Sequence, residues 1–169
     1  MASTDGSGEW VFLTYSLPRD PSAPRLALWR KLRRLGVAQL ADGLVSLPAD
    51  ARTREQLEWA ADDVVAAGGA AGVWLARAAT RAQDREVARV MNTARAEEYL
   101  SLTRTVRDAL SLTEVERRRA LRRFRAENAR IRRRDFFRPE EREQARQALT
   151  ALADTLTTAT PPSELEVRT

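Results

Sequence analysis

From Trp10 to Leu17 (WVFLTYSL) apolar and β-branched residues follow one another almost without interruption, the pattern of a strand covered on both faces. Pro18 stops it. Ser22 is then placed to cap a helix with Pro24 in its first turn, and Leu28, Leu32 and Leu35 recur at helical spacing beside Trp29 until Gly36 ends the run. Two short apolar runs, Val37 to Leu40 and Leu44 to Leu47, flank Asp42-Gly43, a pair that favours a tight hairpin turn. Thr53 and Gln56 have capping-box spacing, and Leu57, Ala60, Ala61, Val64 and Val65 form the stripe of a second helix that Gly68-Gly69 closes. A fourth strand is expected over Ala71 to Ala76. The order strand, helix, strand, strand, helix, strand predicts an α+β, ferredoxin-like βαββαβ sheet domain over residues 10–79, with both helices on one face.

From Thr80 onward the periodicity is helical, so a three-helix C-terminal extension is expected over residues 80–156. Thr80 and Gln83 open the first of these helices; its stripe of Val87, Val90, Met91 and Ala94 changes phase near Glu97-Glu98 before Tyr99, Leu102, Val106 and Leu110, which predicts a bend. Thr113 and Glu116 open the next helix, whose seam of Leu121, Phe124, Asn128 and Ile131 is narrow. Arg138-Pro139 opens the last, with Glu140, Glu141 and Glu143 near its positive end and Ala145, Leu149, Leu152 and Leu156 in its seam. Residues 1–9 are expected to be a disordered leader and 157–169 a flexible tail.

Composition removes several chemistries. The 169-residue chain contains no cysteine and no histidine, which excludes disulfides, thiol nucleophiles, histidine bases and Cys/His metal sites. No GxGxxG, P-loop or metal-ligand cluster beyond carboxylates is present, so no cofactor is expected. Glu97 and Glu98, with Asp84 or Glu86, are the one carboxylate grouping to consider, and solvation is the simpler reading of it. No stretch of about 18 apolar residues suggests a membrane span, and the start lacks a secretory pattern; a cytoplasmic protein with no membrane partner is expected.

The formal charge is +5, and Lys31 is the single lysine among 29 basic residues. Between Leu112 and Arg138 lie 11 arginines and four acids; between Ser22 and Gly36 lie five bases and no acid. These two segments therefore sit on an acidic remainder. Arg117, Arg118, Arg119, Arg122, Arg123, Arg125, Arg130, Arg132, Arg133 and Arg134 are candidates for binding duplex DNA, since guanidinium forks meet phosphates well. The competing expectation is a solvated helix whose arginines pair with neighbouring carboxylates such as Glu140, Glu141 and Glu143. Arg19, Ser22 and Arg25, around the first helix start, and Arg30, Arg33 and Arg34 along it, which could also meet DNA, are candidates for an oxyanion, with a solvated basic helix face as the simpler reading. Asn128 within its seam suggests either pairing in a homodimer or an exposed break in a short seam. Trp10, Trp29 and Trp74 are assigned to the core, and Trp59, off the stripe, to a possible interface.

The segment WVFLTYSLPRDPSAPRLALWRKLRRLGVAQLADGLVSLP resembles the opening of the chromate resistance protein ChrB family, in its N-terminal domain. VVAAGGAAGVWLARA, ARAEEYLSL and RIRRRDFF extend that resemblance over roughly Trp10 to Leu156. It implies a cytoplasmic, chromate-responsive transcription regulator that binds promoter DNA, with chromate or a similar oxyanion as effector. Longer members continue into a second domain, and sensing housed there is not expected here. The sheet part is more distantly similar to PaaX-type repressors and to a small CRISPR-associated nuclease subunit. That nuclease family places an Asp after the first-strand Tyr, whereas Tyr15 is followed by Ser16, which argues against metal-dependent cleavage. An oxyanion- or cofactor-binding enzyme in chromate detoxification and a non-catalytic interaction module are the alternatives.

Overall fold

The computed structural model describes residues 8–157 as a mixed α/β chain, with a four-stranded antiparallel sheet and five α-helices. The expected leader, apart from Gly8 and Glu9, and the expected tail, apart from Thr157, lie outside the described residues. In chain order the elements are β1 (Glu9–Ser16), α1 (Ala23–Leu35), β2 (Ala38–Ala41), β3 (Leu44–Pro48), α2 (Ala51–Ala66), β4 (Ala70–Arg77), α3 (Arg81–Asp108), α4 (Glu114–Arg133) and α5 (Glu141–Thr157). A 3-10 turn, Ala109–Ser111, separates α3 from α4.

The chain divides into two units. The first takes in the described residues up to Ala94 together with Arg134–Phe137. Its sheet order is β2-β3-β1-β4, with β1 in the interior. Strand alternation puts Val11 and Leu13 on one face with Val45 and Leu47, where Leu28 and Leu32 of α1 and Leu57, Ala60 and Val64 of α2 complete the core. Gly43 makes the hairpin turn with φ +72°, and a Cβ there would lie 2.3 Å from the Tyr15 carbonyl oxygen, so no side chain fits.

The opposite sheet face is covered at one end only. Trp10 is buried there, its ring 6.3 Å from that of Phe137, and its indole N–H donates to the buried Asp84 carboxylate at 2.6 Å. Toward the other end Thr14 and Ser16 are exposed, which corrects the expectation that β1 is covered on both faces throughout. The same opening accounts for Trp74, expected in the core but 60% exposed. Trp29 is likewise exposed, on the outer side of α1 beneath the Arg33 guanidinium, and Val65 lies off the buried side of α2. Trp59 is exposed as its position off the stripe suggested.

The cap of α2 also differs from expectation. Asp50 accepts from the Thr53 backbone N–H and Thr53 Oγ1 accepts from the Asp50 N–H, a capping box set three residues upstream of the Thr53-Gln56 spacing. Ser22 precedes α1 but makes no side-chain cap bond.

Replacing Asp84 by Ala is expected to leave the buried Trp10 N–H without an acceptor and to cost about 1–3 kcal/mol. Asp84→Asn, which keeps an oxygen in place, should recover most of this in thermal melts. Equal losses in both variants would show that the indole bond contributes nothing.

The second unit consists of Arg95–Arg133 and the described residues from Arg138 onward. Its core joins Tyr99, Leu102 and Val106 of α3, Leu121, Phe124 and Ile131 of α4, and Ala145, Leu149, Leu152 and Leu156 of α5. Helix α3 is one element from Arg81 to Asp108 and includes Glu97-Glu98. Its phase change coincides with a change of core: Val87, Ala88 and Met91 pack against the first core, whereas Tyr99, Leu102 and Val106 belong to the second. The first unit consequently reaches past residue 79, to Ala94.

An arginine ridge on helix α4

Helix α4 starts as its sequence predicts. The Thr113 N–H donates to Glu116 Oε2 at 2.9 Å, and Thr113 Oγ1 donates to the same oxygen. These two bonds, the side-chain one first, hold the Glu116 carboxyl below its ordinary range, and attraction to Arg119 adds to them. Ala120, Leu121, Phe124 and Ile131 turn inward and are buried.

Helical geometry puts Arg118, Arg122, Arg125, Arg132 and Arg133 within an arc of about 100° that begins roughly 80° round the helix from Phe124 and ends opposite it, with Ala129 inside the arc. All five are exposed. From Arg118 to Arg133 the ridge runs for roughly 22 Å at 1.5 Å per residue. Arg118 is held by Glu114 at 2.6 Å, so part of its charge is answered locally. Arg122, Arg125, Arg132 and Arg133 make no ion pair among the described residues.

The other candidates are differently placed. Arg117 donates to the carbonyl oxygens of Leu110 and Leu112, tying the 3-10 turn to α4. Arg119 flanks the ridge near Glu116. Arg130 pairs with Glu127 at 3.0 Å, and Arg123 lies over the Phe124 ring at 5.1 Å. Both border a cavity of about 370 Å³ with Glu98, Leu102, Phe124 and Ile131. Arg134 lies beyond the helix, in the first unit, and has a partner. The expected neutralisation by local carboxylates is therefore seen in part, at Arg118 and Arg130. Glu143 instead serves its own helix: the Arg146 bond first, then Gln147, lowers its carboxyl to about 2.

The oxyanion candidates fall in two groups along α1. Arg19, Ser22 and Arg25 are exposed around the start of α1, with Asp20 among them. Arg30, Arg33 and Arg34 lie further along, spaced three and four apart and so on one side of the helix. Arg34 borders a cavity of about 360 Å³ with Lys31, Leu17, Pro24 and Asp63, where Lys31 is already paired with Asp63 at 2.6 Å. The carboxylates considered with Glu97 are also dispersed: Asp84 holds Trp10 and Glu98 pairs with Arg95 at 3.2 Å. No group of acids arranged to hold a metal occurs among the described residues. Among them, no helix is long and apolar enough to cross a membrane.

Phe136 and Phe137 received no role from periodicity. They follow α4 and pack against the first core, Phe136 lying 5.8 Å from the Arg52 guanidinium. The signal was their adjacency in RIRRRDFF, a pair of large aromatics directly after a run of arginines.

The family described as "Protein ChrB, N-terminal" matches residues 25–160. No curated protein sequence matches, and no solved structure does.

Proposed function

Since the chain belongs to the ChrB family, matched by its N-terminal part and associated with chromate resistance, we propose that it is a cytoplasmic, chromate-responsive transcription regulator that binds promoter DNA as a homodimer. The observation that carries this reading is the ridge of Arg118, Arg122, Arg125, Arg132 and Arg133 on one side of α4, four of them without a local carboxylate. Such a row meets successive phosphates, and its guanidinium forks suit their oxygens. Phosphate contact supplies affinity and register; base readout needs donors directed at base edges. The reading of the first unit as ferredoxin-like is supported by its βαββαβ chain order and its β2-β3-β1-β4 sheet.

For the effector, Arg19, Ser22 and Arg25 are the group best suited to a tetrahedral dianion. Two exposed guanidinium groups flank a hydroxyl free of capping duty, next to the amides that open α1.

The test is fluorescence anisotropy of a promoter-length duplex titrated with the protein at several salt concentrations, with and without chromate or sulfate. Four or five ridge contacts per chain give eight to ten in a dimer, so affinity is expected to fall about 10⁴- to 10⁵-fold between 50 and 200 mM salt. Chromate should change the midpoint and sulfate should change it less. Absence of duplex binding at low salt overturns the regulator reading; binding indifferent to chromate removes the effector from it.

A further inference from the structure

The two edges of the sheet differ in kind. Strand β2 has four residues, with a register irregularity between Gln39 and Ala41, which blunts it as a pairing template. Strand β4 has eight residues in unbroken register with β1, from Glu9 opposite Arg77 to Ser16 opposite Ala70. It contains no proline or bulge, and its one charge, Arg77, is at the end. Trp74, Leu75, Ala76 and Arg77 are exposed.

The directions of the backbone groups on β4 follow from β1. The Tyr15 N–H donates to the Gly43 carbonyl, and the Glu9 carbonyl accepts from Ala49, so the odd-numbered residues of β1 turn toward β3. Its even-numbered residues therefore turn toward β4, where Thr14, Phe12 and Trp10 face Gly72, Trp74 and Ala76. The N–H and C=O groups of Ala71, Val73, Leu75 and Arg77 consequently point away from the sheet. The Trp74 indole does not block them: its N–H donates to Thr14 Oγ1 at 3.1 Å, which draws the ring back over Gly72 toward β1.

We propose that the β4 edge pairs antiparallel with the β4 edge of a second copy of this chain, about a twofold axis through Trp74. The outward groups are centred on that residue, so this register joins Val73 to Leu75 and Ala71 to Arg77, each twice, and satisfies all of them. Gly72 faces Ala76, and Trp74 faces its own symmetry mate. No like charges meet, because the two Arg77 side chains lie at opposite ends. Val73 and Leu75, the latter 51% exposed in the single chain, cover each other on the face that carries α1 and α2. Because paired residues share a face, the axis is perpendicular to the sheet, giving an eight-stranded sheet with all four of these helices on one side. This symmetric match of groups and charges argues for a second copy as the occupant of the edge.

The interface gives the dimer of the proposed regulator a location and rests on that reading only for its use, since its test needs no DNA. The chain has no cysteine, so Trp74→Cys introduces a single thiol. In the proposed register residue 74 forms a non-hydrogen-bonded pair with its mate, with Cα atoms about 4.5 Å apart, within disulfide reach. Treated with diamide, full-length Trp74→Cys is expected to become a covalent dimer, while Trp59→Cys and Asn128→Cys remain single chains. Sedimentation equilibrium should give twice the chain mass for the unaltered protein. Val73→Pro, which removes an outward N–H and leaves the bonds to β1, should lose the dimer and keep its far-ultraviolet circular dichroism. A monomeric unaltered protein overturns the proposal, as does a dimer that Asn128→Cys captures and Trp74→Cys does not. Should Val73→Pro fail to fold, the cysteine variants decide. Either result leaves the salt-dependent DNA titration of the single chain to be judged separately.

Discussion

Replacing Arg122, Arg125, Arg132 and Arg133 together by Ala is expected to weaken duplex binding by at least about 10³-fold per chain at 0.1 M salt and to reduce the salt slope by about 4 per chain, about 7 to 8 in a dimer. These four side chains are exposed and engage no carboxylate among the described residues, so their removal takes away phosphate contacts and leaves no buried group unpaired. Thermal stability should change little, since alanine favours helix at least as well as arginine. Arg117→Ala is the informative contrast. Its guanidinium is bonded to the Leu110 and Leu112 carbonyls, so the loss should appear in the melting temperature, with the salt slope retained. Anisotropy across a salt series and a thermal melt on both variants separate the two roles. An unchanged slope in the quadruple variant would remove the ridge as the DNA-binding surface.

Phe124→Ala is expected to cost about 3–5 kcal/mol, the range for emptying a buried aromatic site. Phe124 is only 5% exposed and belongs to the core that joins α3, α4 and α5. Its ring also lies beneath Arg123, whose stacking would be lost with it. Denaturant unfolding followed by circular dichroism measures the loss. With the folded fraction accounted for, the variant's affinity for duplex should stay within a few-fold of the unaltered protein, because the side chain faces away from the ridge. A destabilisation below 1 kcal/mol would mean that α4 does not depend on this core.

Most of the element order was legible because its signals are local. Gly36 and Gly43 adopt positive φ where turns were expected, and the Thr80 and Thr113 caps form with the residues three positions on. The seam of α5, Ala145, Leu149, Leu152 and Leu156, is buried as its spacing indicates. Boundaries that depended on competing donors moved: Asp50 and Thr53 satisfy one another, so α2 starts at Ala51. Tryptophan was the weakest guide. Trp10 is buried because Asp84 and Phe137, distant in sequence, meet it, whereas Trp74 on the same sheet face has Thr14 for a polar partner and remains exposed.

The arginine cluster shows the same division. Its position on a helix with an apolar seam followed from residue spacing, because a 3.6-residue period fixes which side chains share a side whatever surrounds them. Which guanidinium groups stay available was decided by packing. Arg117 reaches carbonyls presented by the preceding turn, Arg123 lies on Phe124, and Arg134 falls in the first unit. The sequence alone determined the helices, the turns and the sign of the charge, since these depend on backbone preference and composition over a few residues. The tertiary structure decided which half of α3 serves which core, which face of the sheet is left open, and which arginines form the ridge, because each depends on contacts between residues far apart in the chain.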